Sequence, residues 1–160
     1  MLFKPDFALK NVLDIDGPFL KKNNIKGLIL DLDNTLSIHG SPVEEVGVLE
    51  WISDMRRLDI KLSVVSNNFK RRVKPLAEKL GLDFISFGIK PFTFGVSRAV
   101  KKMGLSRKQV CVVGDQIFTD VLAGNLSGTR TILVDPFLLE TKGLMKLKRK
   151  IEKSLFKRKF

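Results

Sequence analysis

Two acidic clusters in this chain each follow an apolar run, and both contain residue types that phosphoryl transfer requires. Asp31 and Asp33 come directly after Leu28-Ile29-Leu30, and Asp115 and Asp120 follow Val112-Val113-Gly114. A carboxylate can attack phosphorus, transfer a proton or bind Mg²⁺, which prefers oxygen ligands. Ser66-Asn67-Asn68 and Lys90 lie between the clusters and add hydrogen-bond donors and a positive charge. The sequence therefore predicts an enzyme that transfers a phosphoryl group.

Three of these carboxyl groups have candidate roles. Asp31 is the candidate nucleophile, because a carboxylate that accepts the phosphoryl group divides a hard hydrolysis into two easier displacements. Asp33, two residues further on, is the candidate acid and base, a contribution typically worth ~10²–10⁴-fold in rate. Mg²⁺ is the predicted cofactor, with Asp31 and Asp115 as ligands, since a cation must offset the repulsion between a phosphate dianion and a carboxylate.

Ser66, Lys90 and Asp120 have supporting candidate roles. Ser66 can donate a hydrogen bond to the transferring phosphoryl group, and Lys90 can balance the charge that phosphate and carboxylates share. Asp120 can orient Lys90 or a metal-bound water. Taken singly, each of these residues fits an ordinary turn or helix cap. Their order along the chain, each after a strand-like run, is what indicates an enzyme site.

Apolar runs alternate with segments of helical periodicity, which predicts an α/β fold. Five strands are predicted, at 25–32, 60–65, 83–87, 109–113 and 131–134. The intervening helices are predicted to begin at the capping box Ser41-Pro42-Val43-Glu44, to end at Gly81 and Gly104, and to cover 119–126. The strands would form a mostly parallel sheet flanked by helices, and right-handed crossovers would bring the loop after each strand to one edge.

Length and composition indicate a single globular domain. The chain has 160 residues, of which 44% are hydrophobic, and no apolar run approaches the ~18 residues that span a bilayer. The N-terminus has no signal-peptide pattern, and the single cysteine, Cys111, excludes an intramolecular disulfide framework. We expect a cytoplasmic domain over 1–160, with an N-terminal arm (1–24), a catalytic core (25–135) and a basic C-terminal tail (136–160).

The basic tail carries most of the excess charge. The net charge of the chain is +12, and residues 142–160 contain nine Lys or Arg and one acid, a balance of +8. If these residues form a helix, its leucines share one face and most of its lysines the other. That pattern predicts peripheral association with the inner face of an anionic membrane. A solvated or self-packed basic helix is the alternative.

In their order along the chain, these motifs resemble those of the haloacid dehalogenase (HAD) superfamily of aspartate-nucleophile phosphatases, and the resemblance covers about residues 25–135. The four motifs of that superfamily match, in order, Asp31-Leu32-Asp33-Asn34-Thr35, Ser66, Lys90, and Asp115 with Asp120. Many relatives have glycine where Asn34 stands, and the asparagine variant is known in a subset.

The resemblance implies a HAD-type Rossmann-like domain with an aspartate nucleophile and Mg²⁺. It adds the backbone carbonyl of Asp33 to Asp31 and Asp115 as metal ligands. It also implies a phosphorylated substrate. The residues next to the motif side chains are predicted to bind that substrate: Asn34, Thr35, Asn67 and Asn68.

The spacing between motifs leaves no room for a cap domain. Only 30 residues separate Asp33 from Val64, and only 23 separate Ser66 from Lys90. An open site suits a phosphate carried by something large. The whole chain resembles the YqeG-type group of capless HAD phosphatases (subfamily IIIA), some of which dephosphorylate phosphatidylglycerol phosphate. The resemblance therefore implies this anionic phospholipid as the substrate.

Two other functions remain open. The first is the same chemistry on another large or soluble phosphoester, such as a phosphoprotein or a nucleotide. The second is a basic nucleic-acid-binding or ribosome-associated protein whose phosphatase residues are a relic. The complete motif set argues against a relic, and no dedicated nucleic-acid motif accompanies the charge, which alone gives only unspecific affinity.

Overall fold

The computed structural model describes residues 1–137, so the predicted tail helix at 142–160 lies outside the described residues. The strands are β1 (Phe7–Leu9), β2 (Gly27–Leu30), β3 (Lys61–Val65), β4 (Asp83–Ile85), β5 (Val110–Gly114) and β6 (Arg130–Val134). The helices are α1 (Gly17–Lys22), α2 (Val48–Arg57), α3 (Lys70–Lys79), α4 (Phe94–Met103) and α5 (Leu122–Ser127). Two short 3₁₀ turns precede α1 and β5, and a π-helical turn, Ile117–Val121, leads into α5.

The six strands form one parallel sheet in the order β1-β6-β5-β2-β3-β4. The predicted α/β fold is confirmed, but the predicted strand number of five is wrong. The sixth strand, β1, comes from the N-terminal arm and pairs with β6, with Phe7 opposite Ile132. A strand of three residues is too short to show an alternating pattern, so its sequence carries no strand signal.

Helices cover both faces of the sheet. Successive strand residues point to opposite faces, so each strand contributes side chains to two cores. Leu28 and Leu30 of β2 pack into a core cluster with residues of α1, α2 and α3. Ile29, between them, packs into a second cluster with residues of α4 and α5. A central strand buried on both faces is therefore apolar throughout, as parallel sheets require.

The predicted helix start at Ser41 is wrong, because α2 begins at Val48. The hydroxyl of Ser41 accepts a hydrogen bond from the Val43 backbone within a local turn. Glu44 forms a salt bridge with Lys79 of α3 at 2.7 Å instead of capping a helix. The segment is a loop that returns toward β2, since the Glu45 backbone donates to the Leu36 carbonyl.

None of the helices in residues 1–137 is long and apolar enough to cross a lipid bilayer.

Candidate active site

The candidate site lies where the strand order of the sheet reverses. The chain moves from β2 to β3 and β4 on one side, whereas β5 lies on the other side of β2. Leu30 of β2 pairs with both Val64 and Val113, and the Asp31 backbone N–H donates to the Val113 carbonyl at 2.9 Å. In open parallel sheets this edge forms a crevice in which ligands bind. Asp31 and Asp115 follow the two adjacent strands into it.

Three carboxyl groups converge in this crevice around one amine. One carboxylate oxygen from each of Asp31, Asp115 and Asp120 lies within 4.8 Å of the others. Lys90 Nζ donates to Asp31 Oδ1 at 2.7 Å and to Asp120 Oδ1 at 2.6 Å. All four residues are buried, Asp115 completely. Residues far apart in the sequence are thus brought into one compact charged cluster.

The charges of this cluster do not balance. With every carboxyl group ionised, three negative charges face the single positive charge of Lys90. Burial raises the pKa of Asp31 to about 7, against the opposing effect of Lys90. Burial would lower the pKa of Lys90, but Asp120 and Asp31 reverse this and hold that pKa above its usual range. The donor set, rich in oxygen and negatively charged, fits a divalent cation such as Mg²⁺.

The backbone around β5 places Asp120 against the end of that strand. A Cβ on Gly114 would lie 2.2 Å from Asp120 Cγ, so only glycine leaves space for this carboxyl group. Asp120 lies in the π-helical turn, and its Oδ2 accepts a hydrogen bond from the Gln116 backbone at 3.1 Å. Such turns often occur at functional sites. One oxygen of Asp120 is thus fixed by its own loop while the other binds Lys90.

Lys90 is positioned by the loop that follows β3. The Asn67 side chain donates to the Lys90 carbonyl at 2.8 Å and accepts from the Lys90 backbone N–H at 2.7 Å. The Gly88 backbone also donates to the Ser66 carbonyl at 2.8 Å. Asn67, predicted to bind substrate, therefore braces the backbone of Lys90 in the structure.

Asp33 has a separate set of partners, all of them donors. Its Oδ1 accepts from Arg72 at 2.6 Å and from the Gly40 backbone at 3.0 Å, and its Oδ2 accepts from the Asn68 amide at 2.5 Å. The sequence prediction missed Arg72. It lies near the start of α3, where a run of three basic residues reads as a solvated helix face, and only the packing of α3 against the first motif brings it to Asp33.

The remaining predicted site residues line the same loops. Asn34 adopts a left-handed backbone (φ 61°), and its side chain accepts from the His39 backbone at 3.3 Å. The buried Thr35 hydroxyl has no hydrogen-bond partner among residues 1–137. Ser66 is buried at the end of β3, and its hydroxyl accepts from the Asn68 backbone at 3.2 Å.

The chain is similar to a protein-family model, to known proteins in sequence and to solved structures in fold. A HAD-hydrolase-like family model matches residues 89–136. A Bacillus subtilis protein named probable phosphatase YqeG is 41% identical over 153 residues, which cover 96% of this chain and 89% of that protein. The chain belongs to the YqeG-type phosphatases of the HAD superfamily. The identity extends over nearly the whole length of both proteins, well beyond the motif loops.

A plant protein is similar to this YqeG-type phosphatase in sequence, and a solved structure is similar to it in fold. Phosphatidylglycerophosphate phosphatase 1 of Arabidopsis thaliana is 26% identical over 96% of the chain, which spans only 47% of that plant protein. The cobalt-bound deoxy-D-mannose-octulosonate 8-phosphate phosphatase of Haemophilus influenzae has the same fold, with a TM-score of 0.57 at 18% identity, covering 86% of this chain and 92% of that one.

The described residues of this YqeG-type phosphatase contain no cap over the site. Between β2 and β3 the chain forms one loop and α2, and between β3 and β4 it forms only α3 with short connections. Within residues 1–137, the connections between these strands therefore agree with the predicted absence of a cap.

Proposed function

We propose that this phosphatase hydrolyses phosphomonoesters with Mg²⁺ through an aspartyl-phosphate on Asp31. The observation that carries the proposal is the buried cluster at the strand-order reversal, in which Lys90 contacts both Asp31 and Asp120. A nucleophile, a phosphate-compensating cation and metal ligands are the parts that phosphoryl transfer needs.

The proposed reaction has two displacements. In the first, an Asp31 oxygen attacks phosphorus, the ester P–O bond breaks, and Asp33 gives a proton to the leaving oxygen. In the second, Asp33 takes a proton from water as the water attacks phosphorus, and the bond to Asp31 breaks to release phosphate. Ser66 and Thr35 would hold the phosphoryl oxygens. Asn34, Asn67 and Asn68 would keep these loops in place.

Mg²⁺ would be held by Asp31, Asp115 and the backbone carbonyl of Asp33, with Asp120 supporting the site. The excess negative charge of the cluster and its oxygen donors fit this ion. When bound, the ion would reduce the repulsion between the carboxylates and an incoming phosphate. Lys90 would add a fixed positive charge on the same side.

Phosphatidylglycerol phosphate is the proposed substrate. The proposal is supported by the similarity to the plant phosphatidylglycerophosphate phosphatase over 96% of this chain. The short connections between β2, β3 and β4 also support it, because a phosphate displayed at a bilayer surface must reach the nucleophile without a cap closing over it.

Phosphate release from phosphatidylglycerol phosphate in mixed micelles with Mg²⁺ tests the proposal. A panel of soluble phosphoesters, including nucleotides and a phosphopeptide, runs alongside, with Asp31→Asn as the blank. We expect release from the lipid in the wild-type protein and none in the blank.

Other outcomes separate the parts of the proposal. Turnover of soluble esters alone would keep the mechanism and exclude the lipid. Unchanged turnover after removal of divalent cations would exclude the proposed metal role. No turnover on any ester, together with salt-sensitive RNA binding, would favour the nucleic-acid-binding alternative.

A further inference from the structure

Large apolar side chains are exposed around the mouth of the candidate site. The loop after β3, the loop after β4 and the first residue of α4 carry the five residues that we call the apolar rim: Phe69, Phe87, Ile89, Phe92 and Phe94. Each is between 44% and 69% exposed. Every exposed phenylalanine of residues 1–137 belongs to this set. Scattered exposed apolar residues are ordinary, but a cluster beside a functional site marks an interaction surface.

The two loops are joined into one surface. The rings of Phe69 and Phe87 stack with their centroids 5.8 Å apart. The Phe87 backbone donates to the Asn68 carbonyl, and the Phe92 backbone donates to the Ile89 carbonyl, both at 2.8 Å. The same loops carry Asn68 and Lys90, which contact the two catalytic candidates. The apolar rim is therefore fixed relative to the site.

Two residues of the apolar rim have backbone conformations that are unfavourable for their residue types. Phe87 and Ile89 both lie in the left-handed region, with φ values of 52° and 53°. Glycine or asparagine adopts this conformation at lower cost, and a β-branched residue is a marked exception there. Burial does not compensate for the strain, since both side chains are exposed. Backbone strain that is not offset by side-chain burial indicates that the exposed side chains have a function.

The segments that carry the apolar rim contain only positive charges. Residues 66–77 contain four Lys or Arg, residues 84–98 contain two, and neither segment contains Asp or Glu. Arg72 and Lys90 bind carboxylates of the site and Lys74 pairs with Glu78, so the surface charge comes from the other bases. Lys70 and Arg71 are exposed next to Phe69. Apolar side chains flanked by bases match an anionic bilayer, in which rings enter the interfacial layer and bases meet headgroups.

We propose that the apolar rim docks the open site onto the surface of an anionic lipid bilayer. This inference rests on the proposed function, because docking would present a headgroup phosphate to Asp31. A second copy of the chain fits less well, since two such faces would bring like charges together. Single-stranded nucleic acid fits less well because Phe69 and Phe87 stack on each other and Ile89 has no ring for a base.

Vesicle co-sedimentation of the full chain tests the docking surface. The probes are phosphatidylcholine vesicles with and without phosphatidylglycerol. The test variant is Phe92→Ser with Phe94→Ser, and its control is Leu58→Ser with Leu126→Ser, which removes two similarly exposed apolar side chains elsewhere. We expect the test variant to lose roughly tenfold or more of its partitioning to anionic vesicles. The control should bind as the wild type does, and hydrolysis of p-nitrophenyl phosphate should not change in either.

A fluorescent reporter gives a second readout that does not depend on loss of binding. The single native tryptophan, Trp51, is buried and donates to the Ile15 carbonyl at 2.9 Å, so its emission should not respond to vesicles. A Phe92→Trp variant should shift its emission to the blue when anionic vesicles are added. No shift would overturn the proposed docking.

The outcomes distinguish this proposal from the proposed function. Equal vesicle binding by the wild type and the Phe92→Ser/Phe94→Ser variant would overturn the docking surface, as would wild-type binding to single-stranded RNA or to itself but not to vesicles. Turnover of p-nitrophenyl phosphate in that case would leave the phosphatase intact. Rim-dependent vesicle binding without turnover of any phosphoester would support docking and overturn the proposed function.

Discussion

Asp31 and Asp33 are two residues apart and equally buried, each 8% exposed, yet their surroundings differ. Asp31 lies among other carboxyl groups and shares Lys90 with Asp120. Asp33 accepts hydrogen bonds from Arg72, Asn68 and the Gly40 backbone. Burial alone therefore does not explain how two similar groups would take different roles.

The neighbours of each carboxyl group supply that explanation. The Asp31 pKa is raised to about 7, with burial as the largest cause, in a cluster whose excess negative charge favours a metal ion. The Asp33 carboxyl is held in place by donors, as a group that must face a leaving oxygen and then a water requires. Paired carboxyl groups in different environments commonly divide nucleophilic and acid–base work.

Replacing Asp31 with Asn tests the nucleophile side of this comparison and should have the largest effect. The amide cannot form the acyl phosphate, so hydrolysis of p-nitrophenyl phosphate should fall by several orders of magnitude. The control is Asp54→Asn, which breaks only an exposed salt bridge with Arg57. Substantial turnover by the Asp31 variant would contradict the proposed role.

Lys90→Met should lower the thermal stability of the protein. The substitution removes the cation that pairs with the buried Asp31 and Asp120 carboxyl groups, and loss of one partner of a buried ion pair typically costs about 3–5 kcal/mol. We expect Tm to fall by roughly 10 °C in the absence of divalent cations. Adding Asp120→Asn restores the original net charge and should recover part of the loss. An unchanged Tm in Lys90→Met would show that the charges do not interact as described.

Arg72→Ala tests the other side of the comparison. The variant removes the charged partner of Asp33 without touching the Asp31 cluster. We expect kcat to fall roughly 10- to 100-fold, a part of the usual acid–base contribution, with little change in KM. Arg72→Lys should restore some of the activity, and the neighbouring Arg71→Ala is the control. Equal effects of the Arg71 and Arg72 variants would show that only general charge matters.

Asn68→Ala should have the smallest effect on Asp33. It removes one hydrogen bond while Arg72 and the Gly40 backbone remain. We expect kcat for p-nitrophenyl phosphate to fall about tenfold or less, since the typical net contribution of one hydrogen bond, ~0.5–1.5 kcal/mol, corresponds to at most about tenfold in rate. A loss larger than that of Arg72→Ala would reverse the order of importance of the two partners.

Much of the sheet was predictable because its strands are buried on both faces. Apolar runs such as the one before Asp31 leave few alternatives to a parallel strand. The same reasoning failed for β1, whose pairing with β6 depends on a partner more than 120 residues away. It also failed at Ser41. The sequence there has a helix-start pattern, but Glu44 forms a salt bridge with Lys79 and the segment is a loop.

The candidate site was predictable in its list of residues more than in their contacts. Asp31, Ser66, Lys90 and Asp115 each follow a successive strand, and this order is enough to place them at one edge of a parallel sheet. Arg72 had no such signal, because a basic residue on a helix is usually solvated. Asn67 had a signal but a different use, since its amide holds the Lys90 backbone.

The family, the central strands and the loops that carry the reactive groups all follow from the amino-acid sequence. These features depend on the local pattern of apolar and polar residues and on its periodicity, and both can be read directly from the sequence. The pairing of Lys90 with Asp31 and Asp120, which lie 59 and 30 residues from it, and of Arg72 with Asp33 arises only in the folded chain. Local sequence does not specify such pairings, because they form only when packed elements bring distant side chains together and exclude water from between them.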